Sequence, residues 1–380
     1  MLYYSSRYQG QECKARSNLV SKGSKYLLTP TSVLASRFRR IFMTKTNAPT
    51  MKDVAKEAGV SLGTVSKVIN GITVREEYKK KVEAAIASLH YEINTYARGL
   101  KTQKTGLVAV IIPNMLNPFF AAFTDYIEDA LYKKGLKTML CCSDGIPEKE
   151  IAYLNLATQN KVDGIVALTY SDIGNFINPD IPIVVFDRFF ENRNIPRVGS
   201  DNYNGSMMAI EKLLELGCRH PVYIRFHSIF PGESDKRKDG YLAACKKYHL
   251  TPDFLDMEDC DNFIDMMKQF IDKHKKSDGS LSFDGVFCHT DYHGYLFKKL
   301  LQKEGYRVPE DVQLIGFDGI RKFGGSKEDL FVSSMCQPLP QLAAKCVEII
   351  TTEDRSMIPS LTLLPVTFED GGTTRSLKKG

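Results

Sequence analysis

The chain has 380 residues, of which 43% are hydrophobic, 10% aromatic and 25% charged, and no apolar run approaches the roughly 18 residues of a membrane span. This length and composition predict a globular protein of two or three folded units and exclude a membrane-spanning one. The net charge of +6 is uneven, with +7 in residues 1–42, +5 in residues 43–105 and −6 in residues 106–380. A basic front on a mildly acidic body fits either a phosphate-binding headpiece or solvated charge without a partner.

The nine cysteines occur singly or as the adjacent pair Cys141 and Cys142, and the sequence contains no C-x-x-C. This spacing fits neither a zinc site nor a disulfide framework. We therefore expect a protein of the reducing cytoplasm, without a metal or another cofactor.

Residues 1–42 show no helical or strand periodicity, and we expect them to be disordered. They lack the apolar centre of a secretory signal, although their Arg-rich, Ser-rich and acid-poor composition loosely resembles an organelle transit peptide. An alternative is that translation begins at Met43, because AGG codons at Arg39 and Arg40 would form a ribosome-binding sequence. The leader would then not belong to the native protein.

Residues 43–92 are predicted to form a headpiece of three short helices. Thr50 and Asp53 form a capping-box pattern before a first helix that Gly59 ends, and Ser61 caps a second helix that stops at Asn70. A third helix is predicted from about Arg75 to His90. It places one apolar face toward the other two helices, formed by Tyr78, Val82, Ala85, Ile86 and Leu89. This order is that of a helix-turn-helix DNA-binding unit.

The string MKDVAKEAGVSLGTVSKVING, Met51 to Gly71, resembles the headpiece of the LacI/GalR family of bacterial transcription regulators. The resemblance implies that the second helix enters the major groove, with Leu62, Gly63 and Lys67 at the base-reading positions. Lys67 stands where the family usually has Arg, and it donates as a point charge rather than as a bidentate fork. The DNA contacts predicted in the headpiece are Ser61, Leu62, Gly63, Thr64, Ser66, Lys67 and Asn70, with Ser61, Thr64 and Ser66 as candidate phosphate contacts.

Residues 93–105 are predicted to be a hinge and linker. The string from Asn94 to Leu100 resembles the family's hinge helix, which implies that Asn94, Ala97 and Leu100 contact DNA and that Leu100 wedges into the minor groove. A helix this short is marginal alone, so its folding requires DNA and a second copy of the chain. Because Gly99 lowers helix propensity, an ordinary flexible linker is the alternative.

From Gly106 the chain alternates short apolar runs with amphipathic stretches. Strands are predicted at Leu107–Ile112, Leu136–Cys141, Val162–Leu168, Ile183–Phe186, Val222–Phe226, Gly285–Cys288 and Val312–Phe317. Helices are predicted near Phe119–Lys134, Pro147–Gln159, Tyr203–Leu216, Ser234–Tyr248, Asn262–Lys275, Tyr292–Lys303 and Pro338–Ile350. This alternation predicts doubly wound parallel sheets, in which a ligand lies beyond the carboxyl ends of the strands.

The strings NPFF, VVFDR, VGSDN, RKDGY, TD and IGFDG stand between Asn117 and Gly319 in the order of the same family. The resemblance implies an all-α headpiece followed by a two-lobed α/β domain like that of periplasmic sugar-binding proteins. It spans residues 106–375, with lobe 1 at about 106–200 and 336–356 and lobe 2 at about 201–335 and 357–370. The implied effector-binding residues are Phe119, Phe120, Asp187, Arg237, Thr290, Asp291 and Asp318, where Thr290 replaces the commoner Asn. Carboxylates and a guanidinium suit vicinal hydroxyls, and aromatic rings suit a sugar face.

Two other functional classes are the alternatives. An enzyme would need a nucleotide, phosphate or nucleophile motif, and the sequence contains no G-x-G-x-x-G, G-x-x-x-x-G-K-[ST] or G-x-S-x-G. His289 and His293 are four residues apart but straddle a strand-to-helix loop, so a metal site is the weaker hypothesis. A transport receptor would fit the body but not the headpiece. The sequence therefore predicts a homodimeric, non-enzymatic repressor that binds a near-palindromic DNA operator under the control of a small carbohydrate-like effector.

Overall fold

The computed structural model describes residues 49–91, 104–188, 190, 194–228, 230–258, 262–321 and 331–375. These residues fall into two compact units, the headpiece before residue 92 and the body from residue 104 onward. The leader and the predicted hinge residues Asn94, Ala97 and Leu100 lie outside the described residues.

Three helices form the headpiece, as predicted: α1 (Met51–Ala58), α2 (Leu62–Ile69) and α3 (Glu76–Leu89). The predicted capping box is confirmed, because the Thr50 backbone N–H donates to the Asp53 carboxylate at 2.8 Å and the Thr50 side chain accepts from the Asp53 N–H. Gly59 ends α1 with φ 63°, a conformation that costs a glycine little. The start and end of α1 therefore follow from local chemistry.

The headpiece core is formed by fully buried valines from all three helices, Val54, Val65 and Val82. Ile86 and Leu89 pack against this core, as predicted. Tyr78 does not, since its side chain is 37% exposed and its ring lies 6.0 Å from the Lys81 ammonium. The prediction for Tyr78 was wrong because helical periodicity alone does not show that the first turn of α3 extends past the packed surface.

Lobe 1 of the body is built on a six-stranded, fully parallel sheet in the order β11-β5-β4-β3-β1-β2. Its strands are β1 (Leu107–Ile112), β2 (Lys137–Cys142), β3 (Gly164–Ala167), β4 (Ile183–Phe186), β5 (Arg197–Ser200) and β11 (Leu361–Leu364). Its helices are α4 (Pro118–Lys133), α5 (Pro147–Gln159) and α10 (Leu339–Thr351). The central strands are buried on both faces, which explains why they appear in the sequence as continuous apolar runs.

Lobe 2 has a sheet in the order β12-β10-β9-β8-β6-β7, in which only the β10–β12 pair is antiparallel. Its strands are β6 (Pro221–His227), β7 (Phe254–Glu258), β8 (Gly285–Cys288), β9 (Gln313–Asp318), β10 (Ser333–Cys336) and β12 (Thr367–Glu369). Its helices are α6 (Asn202–Glu215), α7 (Lys236–Lys247), α8 (Phe263–Lys273) and α9 (Asp291–Lys303). The predicted fold class, a helix-turn-helix headpiece with a two-lobed, mainly parallel α/β body, is confirmed.

The chain passes between the lobes three times, after β5, after β10 and after β11. One predicted lobe boundary is corrected by this topology. Residues 357–370 were assigned to lobe 2, but β11 pairs in parallel with β5 of lobe 1, and only β12 joins the lobe 2 sheet. Both strands are short, and their composition does not reveal which sheet edge each one extends.

Strand order changes direction between β1 and β3 in lobe 1 and between β6 and β8 in lobe 2. Ligands of doubly wound sheets bind at such switch points, beyond the carboxyl ends of the strands. The residues that follow β1, β3, β4, β8 and β9 are therefore the ones placed to form a site.

Candidate functional site

The outer surface of α2 is the first candidate site. Val65 is fully buried, whereas Leu62, Gly63 and Lys67 are exposed, with 44% of Leu62 accessible. Because α2 packs its apolar face on the headpiece core, these three side-chain positions remain available on its outer surface. The structure thus brings together the three residues for which base reading was predicted.

The polar residues of α2 are held by local hydrogen bonds. Ser61 Oγ accepts from the Thr64 N–H at 3.1 Å and lies 2.9 Å from Thr64 Oγ1. Asn70 Nδ2 donates to the Ser66 carbonyl oxygen at 2.7 Å, at the other end of the helix. Local hydrogen bonds therefore close both ends of α2.

Arg237, near the start of α7, is a buried member of the predicted effector residues, and it is 4% exposed. Its Nε donates to Asn202 Oδ1 at 2.7 Å, and its Nη1 donates to the His289 carbonyl oxygen. The guanidinium also lies 3.7 Å from the centroid of the Phe317 ring. These contacts leave Nη2 to reach Asp318, whose Oδ1 is 3.6 Å away.

Asp318 ends β9 and is held from both lobes. Gln337 Nε2 donates to Asp318 Oδ1 at 2.8 Å, while Gln337 Oε1 accepts from Ser200 Oγ of lobe 1 at 2.7 Å. Burial raises the pKa of Asp318 to about 6, and the Arg237 guanidinium partly opposes that rise. Asp318 has φ 126°, a strained conformation for a residue with a side chain.

Asp187 follows β4 in lobe 1 and also has a positive φ, 64°. Burial raises the pKa of Asp187, while Arg188, Arg237 and a hydrogen bond from Ser234 lower it. Arg188 lies with its guanidinium 4.2 Å from the centroid of the Tyr170 ring, and its Nη1 donates to the Phe230 carbonyl oxygen. We use the name cleft cluster for five residues, Tyr170, Asp187, Arg188, Arg237 and Asp318.

Phe119 and Phe120 lie in the first turn of α4, at the lobe 1 side of this cluster. Phe120 meets Tyr170 edge to face with ring centroids 6.2 Å apart, and Phe119 lies 5.8 Å from the Phe186 ring. Both are buried. Phe120 therefore adjoins the cleft cluster through Tyr170, while Phe119 contacts the end of β4.

Asp291 and Thr290 are engaged by the protein itself. The two Asp291 oxygens accept from the Ile320 N–H and from Ser334 Oγ, each at 2.7 Å, and the residue is 1% exposed. Burial, and next the charge of Asp318, raise the pKa of Asp291 well above its usual value. Thr290 caps α9, where its Oγ1 accepts from the His293 N–H at 3.2 Å. The structure thus places Asp291 behind Asp318, against the loop that follows β9.

The sequence did not single out Tyr170, Gln337, Ser200 or Asn202 as site residues, and it gave Arg188 only as a polar residue after a strand, without an effector-binding role. Arg188 and Asn202 stand within the strings VVFDR and VGSDN, so a search of the residues beside each predicted aspartate would have found them. Tyr170 and Gln337 carry no motif. Gln337 reaches the cluster only because the chain crosses between lobes there.

The two histidines considered for metal binding have other partners. His289 Nδ1 lies 2.8 Å from the Tyr223 hydroxyl, and burial lowers the pKa of His289 well below its usual value. His293 Nδ1 lies 3.0 Å from Thr290 Oγ1. Within the described residues, no group of His, Cys, Asp or Glu side chains is arranged to hold a metal ion.

The lobes touch beside the cleft cluster through the turn that precedes α7. Gly232 pairs with Arg188 in an isolated antiparallel bridge, and the Glu233 N–H donates to the Asp187 carbonyl oxygen at 2.7 Å. Arg197 Nη1 of β5 lies 2.8 Å from Glu233 Oε1. These contacts hold the two strand ends that carry Asp187 and Asp318 on facing sides of one cleft.

Comparison with known proteins adds independent information. Residues 50–94 match the family model "Bacterial regulatory proteins, lacI family", and residues 105–347 match "Periplasmic binding proteins and sugar binding domain of LacI family". The sucrose operon repressor of Pediococcus pentosaceus is 33% identical over 307 residues, which are 80% of this chain and 91% of that protein.

Two solved structures resemble the chain. One is a periplasmic binding protein/LacI transcriptional regulator from Alkaliphilus metalliredigens complexed with D-xylulofuranose, 28% identical with a TM-score of 0.60, covering 71% of this chain and all of that one. The other is the lac repressor dimer bound to operator and the anti-inducer ONPF, 18% identical with a TM-score of 0.74, covering 87% of this chain and all of that one. Within the described ranges, every helix is too short or too polar to cross a lipid bilayer.

Proposed function

The chain belongs to the LacI family of bacterial regulatory proteins, and from that membership we propose that it is a dimeric repressor whose affinity for a DNA operator is set by a small carbohydrate bound between its lobes. One observation carries the proposal. The same chain presents Leu62 and Lys67 on the outer surface of a helix-turn-helix and gathers Asp187, Arg237 and Asp318 at facing strand ends.

On the DNA side, α2 enters the major groove, where Lys67 donates to guanine acceptors and Leu62 makes apolar contacts with base edges. Ser61, Thr64 and Ser66 contact phosphates and set the register of the helix, and Asn70 adds a polar contact at its end. The hinge residues Asn94, Ala97 and Leu100 rest on the family resemblance alone. Their folding on the operator would require two chains held together.

On the effector side, the cleft cluster supplies the groups that a sugar requires. The Asp187 and Asp318 carboxylates accept hydrogen bonds from vicinal hydroxyls, and the Arg237 guanidinium donates to ring or hydroxyl oxygens. Phe119, Phe120 and Tyr170 offer apolar surface to a ring face. Support for a carbohydrate also comes from the D-xylulofuranose in the Alkaliphilus structure and from the sucrose operon named for the Pediococcus relative.

We assign Asp291 a positioning role rather than a direct contact. Its two oxygens are taken by the Ile320 N–H and Ser334 Oγ, so it fixes the loop that follows Asp318. Thr290 has a similar role at the start of α9. A ligand would then meet Asp318 and Arg237 first.

The effector site and the DNA-binding site are coupled because the ligand binds two conformations of the body with different affinities. A ligand that binds the closed cleft more tightly than the open one favours closure, and closure changes how two chains present their headpieces to an operator. This action takes place in the bacterial cytoplasm, where the chromosome lies. We propose no catalytic step for the cleft, in keeping with relatives named as transcriptional repressors.

The proposal is tested with purified full-length protein and a pool of palindromic duplexes, from which bound sequences are selected and measured by fluorescence anisotropy at physiological salt. We expect a selected duplex to bind at least about a thousandfold more tightly than random DNA. A panel of sugars is then added, and at least one is expected to change that affinity. The change should disappear in Arg237→Leu while operator binding remains. Equal affinity for all duplexes would refute the proposal.

A further inference from the structure

We infer that the cleft accepts an uncharged polyhydroxyl ligand and rejects the phosphorylated or carboxylated form of the same sugar. The inference rests on the proposed function, because it concerns the ligand of the same cleft. Four observations support it: the pairing of the charges, the use of the guanidinium donors, the additional acid nearby and the caps on the neighbouring helices.

Each carboxylate of the cleft cluster has a cation near it. Arg237 Nη2 lies 3.6 Å from Asp318 Oδ1, and Arg188 is the strongest cationic influence on the pKa of its neighbour Asp187. Arg188 and Arg237 both act on the pKa of Asp187, and Arg237 acts on that of Asp318. An anionic ligand would therefore have to compete with a resident carboxylate for either guanidinium.

Part of the donor capacity of both guanidiniums is also engaged by the protein. Arg237 donates to Asn202 Oδ1 and the His289 carbonyl, and Arg188 donates to the Phe230 carbonyl while its face lies on Tyr170. A phosphate is usually held by a guanidinium that presents its two-pronged edge freely. Here one nitrogen of Arg188 and two of Arg237 already donate to the protein, which leaves single N–H groups for a hydroxyl.

One further acid acts on the cluster, because Asp235 raises the pKa of Asp187 although it is itself paired with Arg225. Asp291, behind Asp318, has a pKa raised well above its usual value and adds little negative charge. His289 adds no positive charge, because burial lowers its pKa well below its usual value. These neighbouring groups thus add no attraction for an incoming anion.

Three helix starts of the body carry their own side-chain caps, although α7 does not. Asn117 Oδ1 accepts from the Phe119 N–H of α4 at 3.0 Å, and Thr290 Oγ1 accepts from the first turn of α9. The third, α6, is capped by a carboxylate, since Asp201 Oδ1 accepts from the Asn204 N–H at 3.1 Å. At each of these three starts, an N–H group that would otherwise attract an anion already has an oxygen partner.

A neutral polyol meets none of these obstacles. Each hydroxyl can donate to a carboxylate and accept from a guanidinium edge without displacing the resident pair. A phosphate transferred from water into the same buried surroundings would lose its hydration without gaining an unmatched cation. Net charge, rather than size alone, then decides which form of a sugar binds.

The first test uses matched pairs and isothermal titration of the full-length protein: D-xylulose with D-xylulose 5-phosphate, D-ribose with D-ribose 5-phosphate, and sucrose with sucrose 6-phosphate. For any pair that binds, we expect the phosphorylated member to be weaker by at least about tenfold. A phosphorylated member that binds as tightly as its parent sugar would overturn the inference while leaving the proposed repressor function intact.

The second test uses millimolar inorganic phosphate and needs no knowledge of the natural effector. Thermal unfolding of the body is compared, at matched ionic strength, among the parent protein, Asp187→Asn and Asp318→Asn. The two substitutions are made in separate proteins, so that one variant can still be measured if the other fails to fold. Each variant removes one resident carboxylate, and at least one folded variant should be stabilised by phosphate more than the parent is. Phosphate effects on the headpiece are common to all three proteins and cancel.

Two results of the second test would contradict the inference. One is a parent protein whose stabilisation by phosphate is lost in Arg237→Leu, which would show that its cleft already binds the anion. The other is the absence of any gain in both folded variants, which would show that these carboxylates do not exclude anions. Neither result involves DNA, so a failure of operator selection would count separately, against the proposed function alone.

Discussion

The Arg197 guanidinium of lobe 1 lies 2.8 Å from the Glu233 carboxylate of lobe 2, beside the point where the Glu233 N–H donates to the Asp187 carbonyl oxygen. The ion pair therefore bridges the lobes without belonging to the cleft cluster. Burial raises the pKa of Glu233 despite the attraction of Arg197, which shows that desolvation offsets much of the strength of the pair. Its contribution to closure should accordingly be measurable but modest.

We predict that Glu233→Gln weakens effector binding about fivefold, equivalent to about 1 kcal/mol of lost closure energy. The residue would not touch the ligand, so the effect acts through the balance between open and closed lobes. Titration calorimetry with a sugar that binds the parent measures it. Glu215→Gln, which removes an exposed pair with Lys212 within lobe 2, is the matched control and should leave affinity unchanged. Equal effects of the two substitutions would contradict the role in closure.

Gly232→Ala should impair closure more severely. A Cβ on Gly232 would lie 2.7 Å from the Asp187 carbonyl oxygen and 2.9 Å from Arg188 Nη1, so the turn must withdraw from lobe 1. We expect at least about a tenfold loss of effector affinity with little change in the stability of the separate lobes. Gly199→Ala in β5 is the control, because its Cβ would make ordinary contact with Leu363 at 3.6 Å. Wild-type affinity in Gly232→Ala would show that closure does not need this turn.

On the DNA side, Lys67→Ala is expected to weaken binding to a selected operator by about 1–3 kcal/mol and to relax the preference for guanine at one position. Lys67→Arg should restore affinity and sharpen that preference, because a guanidinium donates through two parallel hydrogen bonds. Selection of bound duplexes followed by sequencing reports both effects. Lys79→Ala on α3 controls for the general loss of one exposed positive charge. If it changes sequence preference as Lys67→Ala does, Lys67 is not a base-reading residue.

Leu100→Ala tests the hinge, which lies outside the described residues. If Leu100 wedges into the minor groove, its loss should weaken operator binding by a few kcal/mol, the scale of an unstacked base step. Effector affinity should remain at the parent value, because the cleft cluster is untouched. Operator binding by Leu100→Ala that equals that of the parent would refute the hinge assignment and favour a plain linker.

Much of this architecture was predictable because it is encoded locally. The start of α1 follows from Thr50 and Asp53, and β1, β4 and β8 agree with the predicted ranges because buried parallel strands are continuous apolar runs. The strands β5, β7, β10, β11 and β12 were not predicted, because they are short and contain polar residues. Their pairing partners, rather than their own sequences, make them strands.

The residues of the candidate site were predictable where they follow strands that the sequence itself predicts. Asp187, Arg237 and Asp318 follow from motif positions and lie together in the structure. The engagement of Asp291 with Ser334 could not be foreseen, because it depends on the register of β9 against β10, and Gln337 enters the site only through a lobe crossing. Sequence therefore predicted which residues gather but not which oxygens remain available to a ligand.

The buried Asp318 carboxyl should make stability depend on pH in an unusual direction. Burial raises its pKa from 3.8 to about 6, so between these values the native state binds more protons than the unfolded state. The free energy of unfolding should then fall as the pH rises through this window, by on the order of 1–3 kcal/mol from this group. Asp318→Asn removes that fall, so the variant should gain stability relative to the parent between pH 4 and pH 7. Asp311→Asn should show the opposite trend at lower pH, losing stability relative to the parent as the pH rises from about 2 to 4, because hydrogen bonds from Arg307 lower the pKa of Asp311 to about 2. Urea unfolding of all three proteins from pH 2 to pH 7 would show the two opposed trends in their separate windows, and an Asp318→Asn profile that runs parallel to the parent between pH 4 and pH 7 would contradict the assignment of a raised pKa to Asp318.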